Sequence, residues 1–309
     1  MIRIRPYQPG DEQGICQLFA LVFRSELPLA VWRWKYLREG EPPPVIVAEE
    51  DGHIICHFAT IRQRLSWRGE ENWGWDSVDT MCHPRYQGRG LFRRAVQEFM
   101  RRFCDDRSAL IYGFPNERHR RLGELLVGYE PVARVHKLRQ TGRSLQSGRR
   151  GDDMAFDLLP LDWDAHWRRL AQRFAMVTRR DRRFLLWRYW LRPEKRYRFV
   201  TILGAAALAV VGIEREKAYL MEFLVKAGDA ELARRLLSGV VAIIQAERVS
   251  EIEGWFPPFT WESQFLCSSG GFTAEEAEHW LECRLLDQRL SAAWLAEHFY
   301  YSLGDFDVY

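Results

Sequence analysis

A short glycine-rich segment, residues 85–90 with the sequence RYQGRG, combines residue types that can bind a phosphate group. Its two glycines, Gly88 and Gly90, allow the backbone to turn sharply and to approach a ligand closely. From Leu91 to Phe103 apolar residues recur at helical spacing, so the segment leads into a helix. The first amides of a helix have no acceptor within it and favour an anion. The sequence therefore predicts an anion site at this turn.

Two common phosphate-binding motifs do not fit this segment. The dinucleotide fingerprint needs a third glycine where this chain has Arg93, and the P-loop needs a lysine followed by serine or threonine after its second glycine. A glycine-rich strand-to-helix turn without any ligand is the other interpretation. The segments that flank the turn have to decide between the two.

Two aspartates lie in the predicted strand before the turn. Residues 73–82 are mostly apolar or compatible with a strand, and Pro84 ends the pattern because proline cannot donate to a sheet. A carboxylate there could act as a general base. Strict alternation along a strand places Asp76 and Asp79 on opposite faces. We expect Asp79 to be the catalytic base because it is closer to the turn, with Asp76 as the second candidate. A purely structural role is the alternative for either carboxylate.

The elements predicted for residues 1–140 are a strand, two helices, three antiparallel strands, a helix, a strand, a helix and a strand. Residues 141–153 are polar, basic and glycine-containing, which indicates a linker. Residues 154–309 follow a similar order of elements. Their turn at residues 226–229 reads KAGD, however, and lacks the paired glycines.

The composition indicates a globular protein. The chain has 309 residues, 47% of them hydrophobic, and a net charge of +3, which is too small to indicate nucleic-acid binding. Its six cysteines form no C-x-x-C pair and fit no zinc spacing, so we expect free thiols, no metal and a cytoplasmic location. The longest apolar run, residues 202–213, is too short to span a bilayer.

Residues 85–90 also match the pattern Gln/Arg-x-x-Gly-x-Gly/Ala, and the strand before them ends at a proline. On these features and on the order of elements, residues 1–140 resemble the GNAT N-acetyltransferase superfamily. The resemblance implies an α/β (α+β) fold with a central mixed, mostly antiparallel sheet flanked by helices. It also implies that the strand before the turn and the strand at 109–112 splay apart, with the pantetheine of acyl-CoA in the gap.

The resemblance further implies which residues contact acyl-CoA. Three strand residues would bond the pantetheine through their backbones, the turn and the first helical amides would take the pyrophosphate, and an asparagine that opens the next helix would touch the cofactor. In chain order these residues are Thr80, Met81, Cys82, Arg85, Gln87, Gly88, Arg89, Gly90, Leu91, Phe92 and Asn116. A plain helix N-cap is the alternative role for Asn116.

The sequence does not identify the general acid. Many GNAT enzymes carry a tyrosine about four residues before a Gly-aromatic pair, but this chain has Gly123 and Glu124 there, and we expect Tyr129 to pack in the core. Some tandem relatives use a C-terminal carboxylate as base, and by that analogy Tyr309, Asp305 or Asp307 could serve. The aromatic C-terminal segment should dock in any case, and a strand or plug that closes the second domain is the alternative.

Together these inferences predict a GNAT acyl-CoA-binding domain (residues 1–140), a linker (141–153) and a degenerate second GNAT-like domain with a docked tail (154–309). We expect an N-acetyltransferase that uses acetyl-CoA, or another acyl-CoA, as co-substrate. It would transfer the acyl group to a primary amine of a small molecule by direct attack in a ternary complex. No nucleic-acid or membrane partner is expected, and a homodimer is the assembly to test.

Two other functions stay open at this point. One is a non-catalytic acyl-CoA-binding or regulatory protein that keeps the glycine turn and has lost its acid. The other is a transferase that takes amino acids from aminoacyl-tRNA, against which the intact glycine turn argues. Such a transferase would bind tRNA with an affinity that falls steeply with salt.

Overall fold

The structure is a computed structural model that describes residues 1–38, 40–141, 153–194 and 196–307. Within these ranges the first half of the chain, residues 1–141, contains six strands and four α-helices. In chain order they are Arg3–Pro6 (β1), Asp11–Phe23 (α1), Leu29–Tyr36 (α2), Val45–Glu50 (β2), His53–Trp67 (β3), Glu70–Cys82 (β4), Leu91–Phe103 (α3), Ser108–Gly113 (β5), Glu117–Leu126 (α4) and Glu130–Thr141 (β6). The linker predicted for residues 141–153 lies, except for its two end residues, outside the described ranges.

The second half, residues 153–307, continues with strands and helices of similar order. They are Met154–Phe156 (β7), Trp163–Ala171 (α5), Met176–Thr178 (β8), Arg182–Leu185 (α6), Tyr197–Ile202 (β9), Ala207–Glu214 (β10), Lys217–Val225 (β11), Ala230–Ala246 (α7), Glu251–Trp255 (β12), Trp261–Ser268 (α8), Thr273–Leu285 (β13), Ala292–His298 (α9) and Phe299–Tyr300 (β14). A π-helical segment, Leu186–Trp190, extends α6, and a 3-10 turn, Leu303–Asp305, lies near the C-terminus.

One sheet runs through both halves. Its main path in the described residues is β1-β2-β3-β4-β5-β13-β6-β12-β11-β10-β9-β7. Most neighbours are antiparallel, whereas β4–β5, β11–β12 and β8–β14 are parallel. Strand β13 of the second half lies between β5 and β6 of the first, and β6 pairs with β12. The predicted mixed, mostly antiparallel sheet flanked by helices is confirmed. Strands of the two halves pair with each other within it.

Helices cover both faces of the sheet in the first half. On one face α1 and α2 pack over a core that includes Trp32 and Val78. On the other face α3 packs over Trp75, whose ring lies edge-on to Phe99 with 5.3 Å between the ring centres. None of the helices in the described ranges combines the length and apolar character needed to cross a membrane.

An irregularity in β4 changes which side chains share a face. The register passes from Val78 opposite Ala59 to Met81 opposite His57, so two residues of β4 face one residue of β3. Asp79 lies inside this β-bulge with a left-handed φ of 48°, which aspartate tolerates better than most residues. The prediction that Asp76 and Asp79 lie on opposite faces is wrong, because the extra residue breaks the alternation and both carboxyl groups face α2.

Candidate active site

Strands β4 and β5 separate at a defined point. Their parallel pairing runs from Trp73 opposite Ser108 to Asp76 opposite Tyr112, and within the described chain no further pair joins them. Strand β4 continues to Cys82, whereas β5 ends at Gly113. The last part of β4, residues 80–82, therefore lines a gap at its β5 side. Thr80, Met81 and Cys82 are the residues for which the sequence predicts contacts with pantetheine.

The turn after β4 leaves the start of α3 open for an anion. Gly88 and Gly90 have φ values of 76° and 71°, and a Cβ atom at either position would meet no heavy atom within 4 Å. Gly90 is the N-cap residue of α3, and no side chain caps this helix. The first amides of α3 therefore keep their hydrogen-bonding capacity, and the positive end of the helix dipole lies at the same place.

The longer side chains of the turn surround this helix start. Arg85 and Arg89 are exposed, and the guanidinium of Arg89 lies 4.9 Å from the centre of the Tyr86 ring. Gln87 donates through Nε2 to the carbonyl oxygen of Cys82 at 3.3 Å. Two cations are thus available to an anion at the turn, and Gln87 connects the turn to the end of β4.

The remaining predicted cofactor residues offer mainly their backbones. Leu91 is buried, and the Phe92 ring packs edge-on to Phe58, so only the amides of these two residues face the turn. Asn116 accepts a hydrogen bond from the backbone N–H of His119 at 3.1 Å. The alternative role of Asn116, a helix N-cap, is thereby present in the structure, and its side-chain oxygen is engaged in it.

A buried ion cluster connects α2, the bulge of β4 and the C-terminal segment. The Nζ atom of Lys35 lies 2.8 Å from Asp79 Oδ2 and 2.9 Å from Asp307 Oδ2, and the Tyr36 hydroxyl donates to Asp79 Oδ2 at 2.7 Å. Burial would raise the pKa of Asp79, but the charge of Lys35 and these hydrogen bonds outweigh it and hold the pKa below its ordinary value. Asp79 is therefore an ionised, fixed carboxylate and a weak base.

Asp76 has a different environment on the same face. Asp76 is only 3% exposed, and none of the described residues forms a hydrogen bond with its carboxyl group. Burial raises the pKa of Asp76 well above its ordinary value of 3.8, and the carboxylates of Asp307 and Asp305 add to the rise. Of the two aspartates, Asp76 is consequently the stronger base once it is ionised.

His57 is a further titratable group of this face. Its Nδ1 lies 2.8 Å from the backbone oxygen of Asp79, which fixes that nitrogen as the donor, and Nε2 is buried without a partner among the described residues. Burial lowers the pKa of His57, so the ring is neutral. The ring thus orients the bulge and presents one free lone pair inside the site.

The second half closes this face of the site. Trp34 of α2 and Trp187 of the π-helical segment stack with 5.2 Å between ring centres, and each indole N–H donates to the backbone oxygen of the other residue, at 2.7 and 3.1 Å. Arg188 donates to the backbone oxygens of Gly304 and Phe306 at 2.9 and 2.6 Å. These contacts hold the C-terminal segment so that Asp307 reaches the cluster.

Tyr129 packs in the core, as the sequence predicts, but its hydroxyl group lies close to the gap. The hydroxyl is 3.5 Å from the backbone oxygen of Tyr112, the last residue of β5 that pairs with β4. Its ring fills the space over Gly123, together with the carboxyl group of Glu282 from β13. The missing side chain at position 123 is what admits both groups. Burial raises the pKa of Glu282 to about 7.

The sequence analysis missed Lys35, Tyr36 and His57. A signal existed for the lysine, because Lys35 lies three residues after the buried Trp32 and so on the apolar face of α2, where a charged group requires a partner. Asp307, one of three C-terminal candidates, reaches the site. Asp305 pairs instead with the buried Arg180, and Tyr309 lies outside the described residues.

Comparisons with known proteins bear on the fold of this chain. Residues 3–123 match the family model described as acetyltransferase (GNAT) domain. A probable N-acyltransferase from Enterococcus faecalis V583 is similar in structure with a TM-score of 0.67 and 11% identity, over 93% of this chain and 72% of that chain. A GCN5-related N-acetyltransferase from Anabaena variabilis has a TM-score of 0.65 and 12% identity, over 93% of this chain and 73% of that chain. The N-myristoyltransferase of Saccharomyces cerevisiae, solved with bound myristoyl-CoA, has a TM-score of 0.61 and 10% identity, over 92% of this chain and 79% of that chain. No curated protein matches this chain significantly.

The matched residues include β4, the turn, α3 and β5, which are the elements that form the gap and the anion site. Residues 3–123 therefore resemble a GNAT acetyltransferase domain, and over the rest of the chain the likeness to these solved structures is one of fold.

Proposed function

We propose that this protein is an acyl-CoA-dependent N-acyltransferase that transfers an acetyl group to a primary amine of a small molecule by direct attack in a ternary complex. The observation that carries the proposal is the uncapped helix start at Gly90 beside a gap whose inner end holds the buried Asp76 carboxyl group. An anion site, a slot for an extended chain and a basic group thus occur along one strand and its following turn.

The donor is held mainly by backbone groups in this proposal. The amides of residues 87–92 and the arginines of the turn bind the pyrophosphate. Thr80, Met81 and Cys82 hold the pantetheine, and an amide at Met81 or Cys82 stabilises the negative charge that develops on the thioester oxygen. One such donor contributes about 3 kcal/mol when it is well aligned. Bound acyl-CoA supplies the acyl group and a thiolate leaving group.

Asp76 is the proposed base, and Asp79 is a positioning residue. An amine attacks only when it is neutral, although a free alkylamine has a pKa near ~10.4. Asp76 accepts the proton that the amine loses, because its raised pKa makes it the better acceptor. Asp79, held by Lys35 and Tyr36, fixes the bulge and the C-terminal segment.

In this proposal the acceptor amine lies on the α2 side of β4, since both carboxyl groups face that side. The stacked Trp34 and Trp187 border the same region, and the carboxylates there suit a cationic acceptor such as an amino sugar or a polyamine. The proposal includes a tandem arrangement in which the second half is a degenerate GNAT-like domain. It also includes a cytoplasmic location, which the six free cysteines support.

Calorimetric titration with acetyl-CoA tests the donor site. We expect micromolar binding, about 8 kcal/mol of free energy, and its loss in the Gly88→Val/Gly90→Val variant. The matched control is Gly204→Val/Gly228→Val, which changes two left-handed glycines of second-half turns that also have open space around them. Binding that survives in the first variant, or disappears equally in both, would count against the assignment of this turn.

Thiol release from acetyl-CoA in the presence of polyamines and amino sugars tests the chemistry. Asp76→Asn should lower kcat by about 100-fold or more and leave the affinity for CoA unchanged. In the native protein kcat should rise with pH through the raised pKa of Asp76, because only the ionised carboxylate accepts a proton. This acid limb should be absent from the residual activity of Asp76→Asn. A native acid limb at the ordinary aspartate pKa, or an unchanged kcat in the variant, would exclude Asp76 as base.

A further inference from the structure

Six exposed arginines of the glycine turn and of helices α3 and α4 have no carboxylate partner in the described part of the chain. They are Arg85, Arg89, Arg93, Arg94, Arg118 and Arg121, and none takes part in an ion pair within the described ranges. Arginines further along the same helices do have partners, since Arg101 and Arg102 pair with Glu98. Likewise Arg120 pairs with Glu117 and Glu124, so the acids of α3 and α4 are all engaged away from the turn. We call the six arginines together with Leu122 and Leu125 the arginine surface.

The two leucines give this surface an apolar centre. Leu122 and Leu125 are 51% and 66% exposed, and they share the outward face of α4 with Arg118 and Arg121 because of their helical spacing. None of the residues of α4 is buried. Arg93 of α3 donates to the backbone oxygen of Leu125 at 3.3 Å. This hydrogen bond makes the first turn of α3 and the face of α4 one continuous surface.

A nucleotide alone does not account for this combination. Its phosphates would use the amides of the turn and the nearest arginines, but they gain nothing from exposed leucines on the outer face of the next helix. A protein that covers Leu122 and Leu125 would gain about 25 cal/mol for each Å² of apolar surface that it buries. An acidic partner would in addition neutralise arginines that have no carboxylate of their own. Charge and apolar surface together therefore fit an acidic protein.

We propose that the arginine surface docks an acidic acyl carrier protein, whose phosphopantetheine arm enters the gap between β4 and β5. This inference rests on the proposed function, because the arm and CoA share the phosphate and pantetheine that the site would bind. The transfer step is unchanged. The bond between the acceptor nitrogen and the acyl carbon forms, the carbon–sulfur bond breaks, and the amine proton passes to Asp76. The arm leaves as a thiolate that takes up a proton from solvent.

Calorimetric titration separates the two donors. The probes are a bacterial acyl carrier protein carrying its phosphopantetheine arm and free CoA, each titrated into the full chain. We expect Arg118→Glu/Arg121→Glu to weaken carrier-protein binding by about 30-fold or more and CoA binding by less than twofold. The matched control is Arg168→Glu/Arg169→Glu, which reverses the same charge at exposed arginines of α5 and should change neither affinity. Carrier-protein binding should also weaken steeply as salt is raised.

Other outcomes would overturn the inference in distinguishable ways. If the native protein binds CoA and not the carrier protein, the surface serves another ligand while the proposed function stands. If both charge reversals weaken carrier-protein binding equally, the loss reflects the net charge of the protein and not the arginine surface. Binding to phosphatidylglycerol vesicles that Arg118→Glu/Arg121→Glu abolishes, without carrier-protein binding, would assign the surface to an anionic membrane. Failure to bind either donor would overturn the proposed function as well.

Discussion

Each half of the chain has a strand, a turn and a long helix in the same order, but the two turns differ in what meets the helix start. In the first half Gly90 precedes α3, and no side chain caps the helix. In the second half Asp229 precedes α7, and its carboxylate accepts a hydrogen bond from the amide of Leu232 at 3.0 Å. The start of α3 is thus open to a phosphate, whereas the start of α7 is already occupied by the carboxylate of Asp229.

The gaps beyond the paired parts of the parallel strands also differ, because one is filled by the protein's own chain and the other, within the described residues, is not. The pairing of β11 with β12 ends at Leu220 opposite Gly254, and the C-terminal segment fills the space beyond it. Ser302 donates to Glu222 of β11 at 3.0 Å, and the Phe306 ring stacks on Trp255 at the end of β12 with 4.8 Å between ring centres. In the first half, the corresponding region contains the Asp76 carboxyl group without a partner in the described residues.

The comparison shows how the second half satisfies its own polar groups. Glu222 is buried and ion-paired with Arg180 at 2.8 Å, and Arg180 also pairs with Asp305 of the C-terminal segment. Such a network is costly to break because one partner would be left buried and uncompensated. The second half therefore satisfies its helix start and its gap with groups of its own chain, and only the first half leaves both available to a ligand.

The largest effect should come from a side chain at Gly304, which would disrupt the filled gap. A Cβ atom there would collide with Glu222 Oε1 and with the Tyr189 hydroxyl. We expect Gly304→Ala to lower the free energy of unfolding by about 3 kcal/mol, since the neighbours are buried and ion-paired. Urea denaturation measures the difference.

The control for this prediction lies in the open turn of the first half. Gly88→Ala meets no heavy atom within 4 Å, so only the left-handed backbone conformation should cost stability, about 1 kcal/mol. Equal losses in Gly304→Ala and Gly88→Ala would mean that the C-terminal segment does not fill the gap as tightly as the contacts indicate.

A smaller effect should follow when the first half receives the carboxylate of the second. Gly90→Asp places a negative charge at the open start of α3, where it would compete with a phosphate for the amides and the dipole. We expect affinity for CoA to fall by about thirtyfold, which corresponds to about 2 kcal/mol. Calorimetric titration measures the change.

Gly90→Asn is the matched variant, because asparagine has the same size, carries no charge and tolerates the left-handed φ of 71° at this position. It should retain most of the affinity. A similar loss in both variants would show that shape, and not charge, distinguishes the two turns.

Local patterns in the sequence were enough to predict most elements of this fold. The helix that the apolar spacing predicts from Leu91 to Phe103 has the same ends in the structure, since its pattern depends only on residues that are close in the chain. The glycine turn at residues 85–90 was predictable for the same reason. Its proposed function depends on amides and on left-handed glycines that are neighbours in the chain.

Features that depend on distant partners were not predicted. Strand β13 carries several charged residues, and its partners belong to β5 and β6, more than a hundred residues away in the sequence. The bulge at Asp79 depends on the register between β3 and β4, which no local pattern specifies. The pairing of Lys35 with Asp79 and Asp307 likewise joins three distant segments. The side chains around Asp79 were therefore less predictable than the glycine turn.

The smallest predicted effect is at Asp229, where removal of the cap tests whether the second turn is closed by this carboxylate alone. Asp229→Ala should lower the free energy of unfolding by about 1 kcal/mol, because the amide of Leu232 loses its acceptor. Asp229→Asn retains a capping oxygen and should stay close to the native stability. Neither variant should gain a second site for CoA in calorimetric titration, since the C-terminal segment still fills the gap between β11 and β12. A second binding event in Asp229→Ala would show that the helix cap alone prevents CoA from binding in the second half. The C-terminal segment in the gap would then not block CoA.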